Sequence, residues 1–245
     1  MLKGPVVTTQ SLSAGSLPRV GTPKQQLSED VAGYVRELII SGRVKPGDFL
    51  RTEPIAEAVG VSNTPVREGL LLLSGEGFVE LVPRRGFVVA AFSRQDVRDI
   101  FWAQADLAAE LCGRAAKQIS AAQLDHLEEV MLKHQEAVRN KADSDTIVSL
   151  GHEFHRTINL AANSRRLALM LRSIVKQLPN RFYNEIEGHS DDTMHAHPEI
   201  LDAMRNRRSK AAANLMRDHI MSGADELVAM LEKQGVWADD VESTA

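Results

Sequence analysis

The chain has 245 residues, 43% of them hydrophobic but only 4% aromatic, and 29 Lys+Arg against 33 Asp+Glu leave a formal net charge of −4. That length accommodates two domains with a buried core each, and the Ala- and Leu-rich, aromatic-poor composition favours helices packed on helices over a sheet-rich fold. A single cysteine, Cys112, excludes an internal disulfide and reads as core packing, and no run of about 18 apolar residues exists to span a bilayer, so a reducing, cytoplasmic setting is expected.

Residues 1–25 are rich in Ser, Thr, Gly and Pro without sustained periodicity and read as a disordered tail. From Leu27 the apolar residues Leu27, Val31, Val35, Leu38 and Ile39 follow helical spacing, which Gly42 and then Pro46-Gly47 interrupt. A short helix fits Glu53 to Val59, closed by Gly60, and another starts after Ser62, whose hydroxyl is a candidate N-cap with Pro65 harmless in the first turn. Val66, Leu70 and Leu73 recur at i, i+4, i+7 and predict the buried face, while Asn63, Thr64 and Arg67 share another. Phe78 to Val82 and Phe87 to Ala91 are β-prone and joined by Pro83-Arg84-Arg85-Gly86, a hairpin with a basic tip. Three helices and a hairpin over 26–92 make a winged helix-turn-helix.

Everything from Ser93 to about 235 reads as helix, with 236–245 as a short tail. Ser93-Arg94-Gln95-Asp96 resembles a capping box opening a helix of roughly 25 residues, and further helical patterns cover 121–140, 144–162, 165–187, 198–207 and 209–233. Six helices on one core predict an all-α bundle, so the fold class is mainly α. Charge divides along the same boundary: residues 1–94 carry 11 Lys+Arg and 9 Asp+Glu, residues 95–245 carry 18 and 24. A mildly basic N-terminal part permits DNA binding without demanding it.

The runs ISGRVKPGDFL, IAEAVGVSNTPVREGL and EGFVELVPRRGFVV closely resemble the DNA-binding domain of the GntR family of bacterial transcription regulators. The helical remainder, through GHEFHRTI, HPEILDAM and the stretch ending LMRDHI, resembles the FCD ligand-binding domain of the fatty-acid-regulator subgroup. Together the two likenesses span residues 27–232. They imply a homodimer that reads a symmetric double-stranded DNA operator, more often as a repressor, under control of a small organic acid held in the bundle. Ser62, Asn63, Thr64 and Arg67 on the recognition helix and Arg84, Arg85 and Gly86 on the wing are the implied DNA contacts. The family usually has arginine where this chain has Asn63; arginine pairs with guanine and asparagine with adenine, so the preferred half-site should differ at that base.

The same resemblance implies a divalent metal, Zn²⁺ or Ni²⁺ among the suitable ions, held by His155, His197 and His219 from three predicted helices. The family's aspartate four residues before the first histidine is Gly151 here, which offers no ligand. Glu153 faces another side, and His152, three residues before His155, is the candidate fourth imidazole. Histidines that face the helical core hydrogen-bonded rather than metal-bound are the alternative. Pro198 biases the preceding residue away from the α region, so that helix is expected to begin just after His197.

Gln104 stands where the family's first bundle helix often carries arginine, which removes a cation that a dicarboxylate would pair with. Gln104, Arg156, Asn159 and Arg181 are the candidate effector contacts. His152 and His155 are three apart, not the four that the H-E-x-x-H hydrolase motif needs, so a metallohydrolase is the remote alternative and no enzyme activity is expected. A regulator for which the ion itself is the signal is the nearer alternative.

Overall fold

The computed structural model describes residues 23–178, 182–183 and 191–237. Nine helices and a small sheet account for the regular structure among them. The N-terminal module runs α1 (Pro23–Ile40), β1 (Phe49–Leu50), α2 (Thr52–Val59), α3 (Asn63–Gly75), β2 (Val79–Val82) and β3 (Gly86–Val89). Six helices follow: α4 (Arg94–Gln118), α5 (Ala121–Arg139), α6 (Ser144–Ala161), α7 (Arg165–Val175), α8 (Asp191–Arg205) and α9 (Ser209–Lys233).

The winged module forms as its pattern requires. Val66, Leu70 and Leu73 are fully buried against Val31 and Val35 of α1. Gly60 closes α2 at φ +74°, a conformation that glycine adopts without steric cost. Two polar contacts fix α1 along α3: Ser28 Oγ donates to Glu68 at 2.8 Å, and the buried Arg36 pairs with Glu76 at 2.5 Å. Between them the helices approach so closely that a Cβ at Gly69 would stand 2.8 Å from the Ser28 carbonyl oxygen. The sheet has the order β1-β3-β2, antiparallel throughout, with Phe49 opposite Val88 and Leu81 opposite Phe87.

Several local expectations are corrected. The first helix begins at Pro23, inside the stretch read as tail. Ser62 occupies the N-cap position with extended backbone, but its side chain makes no cap hydrogen bond. The strand Phe49–Leu50 was not foreseen, because two residues carry no periodicity. The helix expected over 165–187 ends at Val175; residues 179–181 and 184–190, which include Arg181 and the Gly188 break, lie outside the described residues. The helix expected to start after His197 begins at Asp191, with Pro198 inside it. A proline there forfeits one backbone hydrogen bond, but burying His197, Ile200 and Leu201 from that helix outweighs the local preference. Trp237, within the expected C-terminal tail, is buried and donates its indole N–H to the Phe92 carbonyl at 2.6 Å.

Two apolar cores result, and their boundary is not the one between the modules. The first combines α1, α3 and the wing with Val97 and Phe101 of α4 and Leu227, Val228 and Leu231 of α9. The second fills the far end of the bundle, around Leu111, Leu127, Phe154, Ile200 and Met216. Cys112 belongs to it, fully buried, and burial pushes its thiol up to about 12. Lys176, just past α7, reaches Glu29 of α1 at 2.5 Å and ties the bundle to the winged module a second time. Capping supports the bundle helices: Ser93 with Asp96 and Ser120 with Gln123 form reciprocal capping boxes, and Asp143 caps α6 through the Thr146 amide.

Candidate functional site

The first candidate surface is the start of α3. Pro65 and Val66 turn inward, which leaves Ser62, Asn63, Thr64 and Arg67 exposed together. Their hydrogen-bonding groups stand free of the core on a helix whose opposite face anchors it, the arrangement that major-groove reading needs. At the wing, Arg84 and Arg85 are exposed between β2 and β3, with Arg84 at φ +66° and Gly86 at +101°. The guanidinium of Arg85 lies 4.5 Å from the ring centroid of Phe49.

The second is a polar layer inside the bundle, where the two apolar cores meet along α4 and α9. His155 from α6, His197 from α8 and His219 from α9 converge, each offering one nitrogen, all within 4.8 Å of one another. The Nε2 atoms of His197 and His219 are 3.2 Å apart, and those of His219 and His155 are 3.4 Å apart. The ring of Phe154 stacks on His197 at 4.0 Å, and His155 and His219 lie nearly parallel, 8° between planes. Ring stacking therefore engages all three histidines.

Facing nitrogens at these distances need either a shared proton or a cation between their lone pairs. His219 Nε2 faces both neighbours, and a single N–H aims well at only one acceptor, so a central cation satisfies the three-way meeting better. Zn–N bonds of about 2.0–2.1 Å in a tetrahedral site place ligand nitrogens about 3.3–3.4 Å apart, close to the two separations from His219 Nε2 to its neighbours. Three imidazole nitrogens from three helices are a donor set that fits a divalent ion.

The candidate fourth ligand, His152, does not join the cluster, and the positions of Gly151 and Glu153 are as the spacing implied. Gly151 is buried one turn before His155 and contributes no side chain. His152 points instead to Tyr183, its ring 5.7 Å away and edge-on. Glu153 faces outward to Arg156 and His126. His134 of α5, only 1% exposed, packs its ring 5.6 Å from His197; nothing in the spacing of α5 signalled it, since a lone histidine on an amphipathic helix looks like any core position.

Of the candidate effector contacts, Gln104 is buried in the polar layer and donates its amide N–H to the Tyr183 hydroxyl at 3.1 Å, while that hydroxyl donates to the Val175 carbonyl at 3.2 Å. Tyr183 falls inside the helix expected over 165–187, and no spacing signal distinguishes it from the other residues of that pattern. Arg156 is exposed and engaged with Glu153, so it does not face the layer. Asn159 is half-buried on α6. A cleft of about 350 Å³ opens where the end of α3 meets α4 and the end of α7, and no histidine lines it.

A helix-turn-helix with a wing, joined to an all-helical domain with a preformed polar layer, defines a DNA-binding transcription regulator. Residues 27–89 match the bacterial regulatory proteins of the gntR family and residues 99–222 match the FCD domain, and the chain belongs to the GntR family, in its branch with a C-terminal FCD domain. It is similar to the uncharacterized HTH-type transcriptional regulator YdhC of Bacillus subtilis, 23% identical over 201 residues, 81% of this chain and 90% of that one. It is also similar to the HTH-type transcriptional repressor RspR of Escherichia coli, 22% identical over 217 residues, 88% of this chain and 95% of that one. The solved structure of E. coli McbR/YncC shares the fold, with a TM-score of 0.61 at 22% identity over 85% of this chain and 98% of that one. No helix among the described residues is long and apolar enough to cross a membrane.

Proposed function

We propose that this regulator is a homodimeric repressor that binds a symmetric operator and is controlled by a small organic acid bound with a divalent metal in the polar layer of the bundle. The observation that carries the control half is the convergence of His155, His197 and His219 within 4.8 Å. When bound, a divalent ion supplies positive charge and an open coordination position to a ligand carboxylate. The protein's own contribution is to bring three imidazoles together, hold them by ring stacking, and keep Gln104 and Tyr183 as hydrogen-bonding groups in the same layer. A ligand that neutral groups recognise around one metal-bound carboxylate suits this layer better than a dicarboxylate, which would need a second cation.

For DNA, Asn63, Thr64 and Arg67 read base edges in the major groove, the α3 N-terminus and Ser62 approach a phosphate, and Arg84, Arg85 and Gly86 of the wing lie along the backbone. A dimer matches two half-sites to its own two-fold axis, and the repressor named among the relatives supports repression. Selection of duplexes from a random pool tests the DNA half: an inverted repeat with adenine at the base opposite Asn63 is expected, and recovery of guanine there contradicts that assignment. Thermal-shift screening of metal-free protein with zinc, nickel and a panel of carboxylic acids tests the other half. Stabilisation by acid and metal together supports the proposal; stabilisation by metal alone, with the acids adding nothing, makes the ion itself the signal.

A further inference from the structure

The two arginines of the wing occupy different environments. Arg84 sits at φ +66°, in the left-handed region, which places it at the apex of the turn before Gly86. Arg85 folds back instead, with its guanidinium 4.5 Å from the ring centroid of Phe49. Phe49 lies on β1, paired with Val88, and is 42% exposed. Along β3, Phe87 and Val89 are buried, so Val88 and its partner Phe49 belong to the outer face of the sheet. A phenylalanine there buries little of itself in the core, and its ring serves the cation above it.

We propose that Phe49 is a positioning residue for DNA binding, holding Arg85 along the outer face of the wing so that its guanidinium edge meets a backbone phosphate while Arg84 alone projects from the tip. Stacking uses the flat face of the guanidinium, and its five N–H donors lie in the plane of the group, so the edge stays open to phosphate. A cation held on an aromatic ring also loses less freedom on binding than one on a wandering side chain. Sequence position makes the two arginines look interchangeable; their surroundings make Arg85 a fixed phosphate contact and Arg84 the adaptable one. This rests on the placement of the wing on DNA proposed above.

The test uses the full chain and a duplex that the wild type selects from a random pool, with affinity measured by fluorescence anisotropy across a salt series. An exposed cation–ring pair of this kind is worth about a two- to fivefold change in equilibrium, so Phe49→Leu should weaken binding by that factor. Arg85→Ala should weaken it further and lower the salt slope by about 0.9, as expected when the protein neutralises one phosphate fewer. In the Arg85→Ala background Phe49→Leu should add nothing, whereas Phe49→Tyr in the otherwise wild-type chain, which keeps the ring, should leave wild-type affinity unchanged. Equal weakening by Phe49→Leu with and without Arg85, or no weakening in either, overturns the inference. A salt slope unchanged by Arg85→Ala contradicts instead the placement of the wing on which it rests, since Arg85 would then meet no phosphate.

Discussion

In the winged module the functional atoms stand outside the core; in the bundle they lie within it. Asn63, Thr64 and Arg67, the proposed base-reading residues, are exposed on a helix anchored by Val66, Leu70 and Leu73, so that face can change without touching what holds the helix. His197 and His219 are 1% and 8% exposed, and each replaces an apolar side chain that the bundle could have used. The difference teaches where the cost of function falls. On the proposed DNA face a missing side chain should cost binding alone, whereas in the polar layer any change to a buried histidine also bears on stability.

The largest effect should come where the two regions share atoms. Leu227 of α9 packs in the core that also holds α1 and α3, so Leu227→Ala should destabilise by about 2–5 kcal/mol and accelerate amide exchange in α3 as well as α9. Unchanged protection in α3 would show that the modules fold independently. Next comes the polar layer. Saturating the histidine cluster at 100 times the dissociation constant should stabilise the protein by about 2.7 kcal/mol, and a chelator should remove that gain. His219→Leu should abolish the response to zinc or nickel while melting no lower than metal-free wild type, because an apolar residue replaces a buried polar one.

Arg67→Ala should weaken operator binding by about 1–3 kcal/mol, read by gel-shift titration, with the melting temperature unaltered. A fall in melting temperature would place Arg67 in the fold rather than at the DNA. The smallest effect concerns pH. Hydrogen bonds from the Thr146 hydroxyl and amide hold the Asp143 carboxyl below the usual aspartate range, so its cap contributes stability at neutral pH that disappears as the pH falls through the acid range below about 4. Asp143→Ala should leave α6 less protected at pH 7 and should flatten that acid dependence; equal protection in both proteins at pH 7 would deny the cap a role.

Legibility followed the same division. The winged module was readable because its signals are local: glycines at turns, a 3.6-residue apolar repeat, a basic hairpin tip. The three histidines and Gln104 were assignable through family resemblance, but Tyr183, which bonds Gln104, and His134, which packs on His197, were not, since they reach these partners only after distant segments pack. Pro198 misled for the same reason: a rule about neighbouring residues predicts a helix boundary, and the burial of His197 beside Phe154 overrides it. Phe49 escaped notice because a two-residue strand has no pattern to detect.

The central claim is that the histidine cluster and the DNA face belong to one linked device, and linkage requires a ligand that distinguishes two states. The direct test is operator affinity of metal-free wild type and His219→Leu, measured with and without zinc and with the carboxylic acid that stabilises the zinc-loaded protein most. The account predicts a shift of about 5- to 150-fold in the wild type, the usual range of coupling between sites, and none in His219→Leu. Operator affinity in the wild type that is indifferent to both zinc and acid would contradict it.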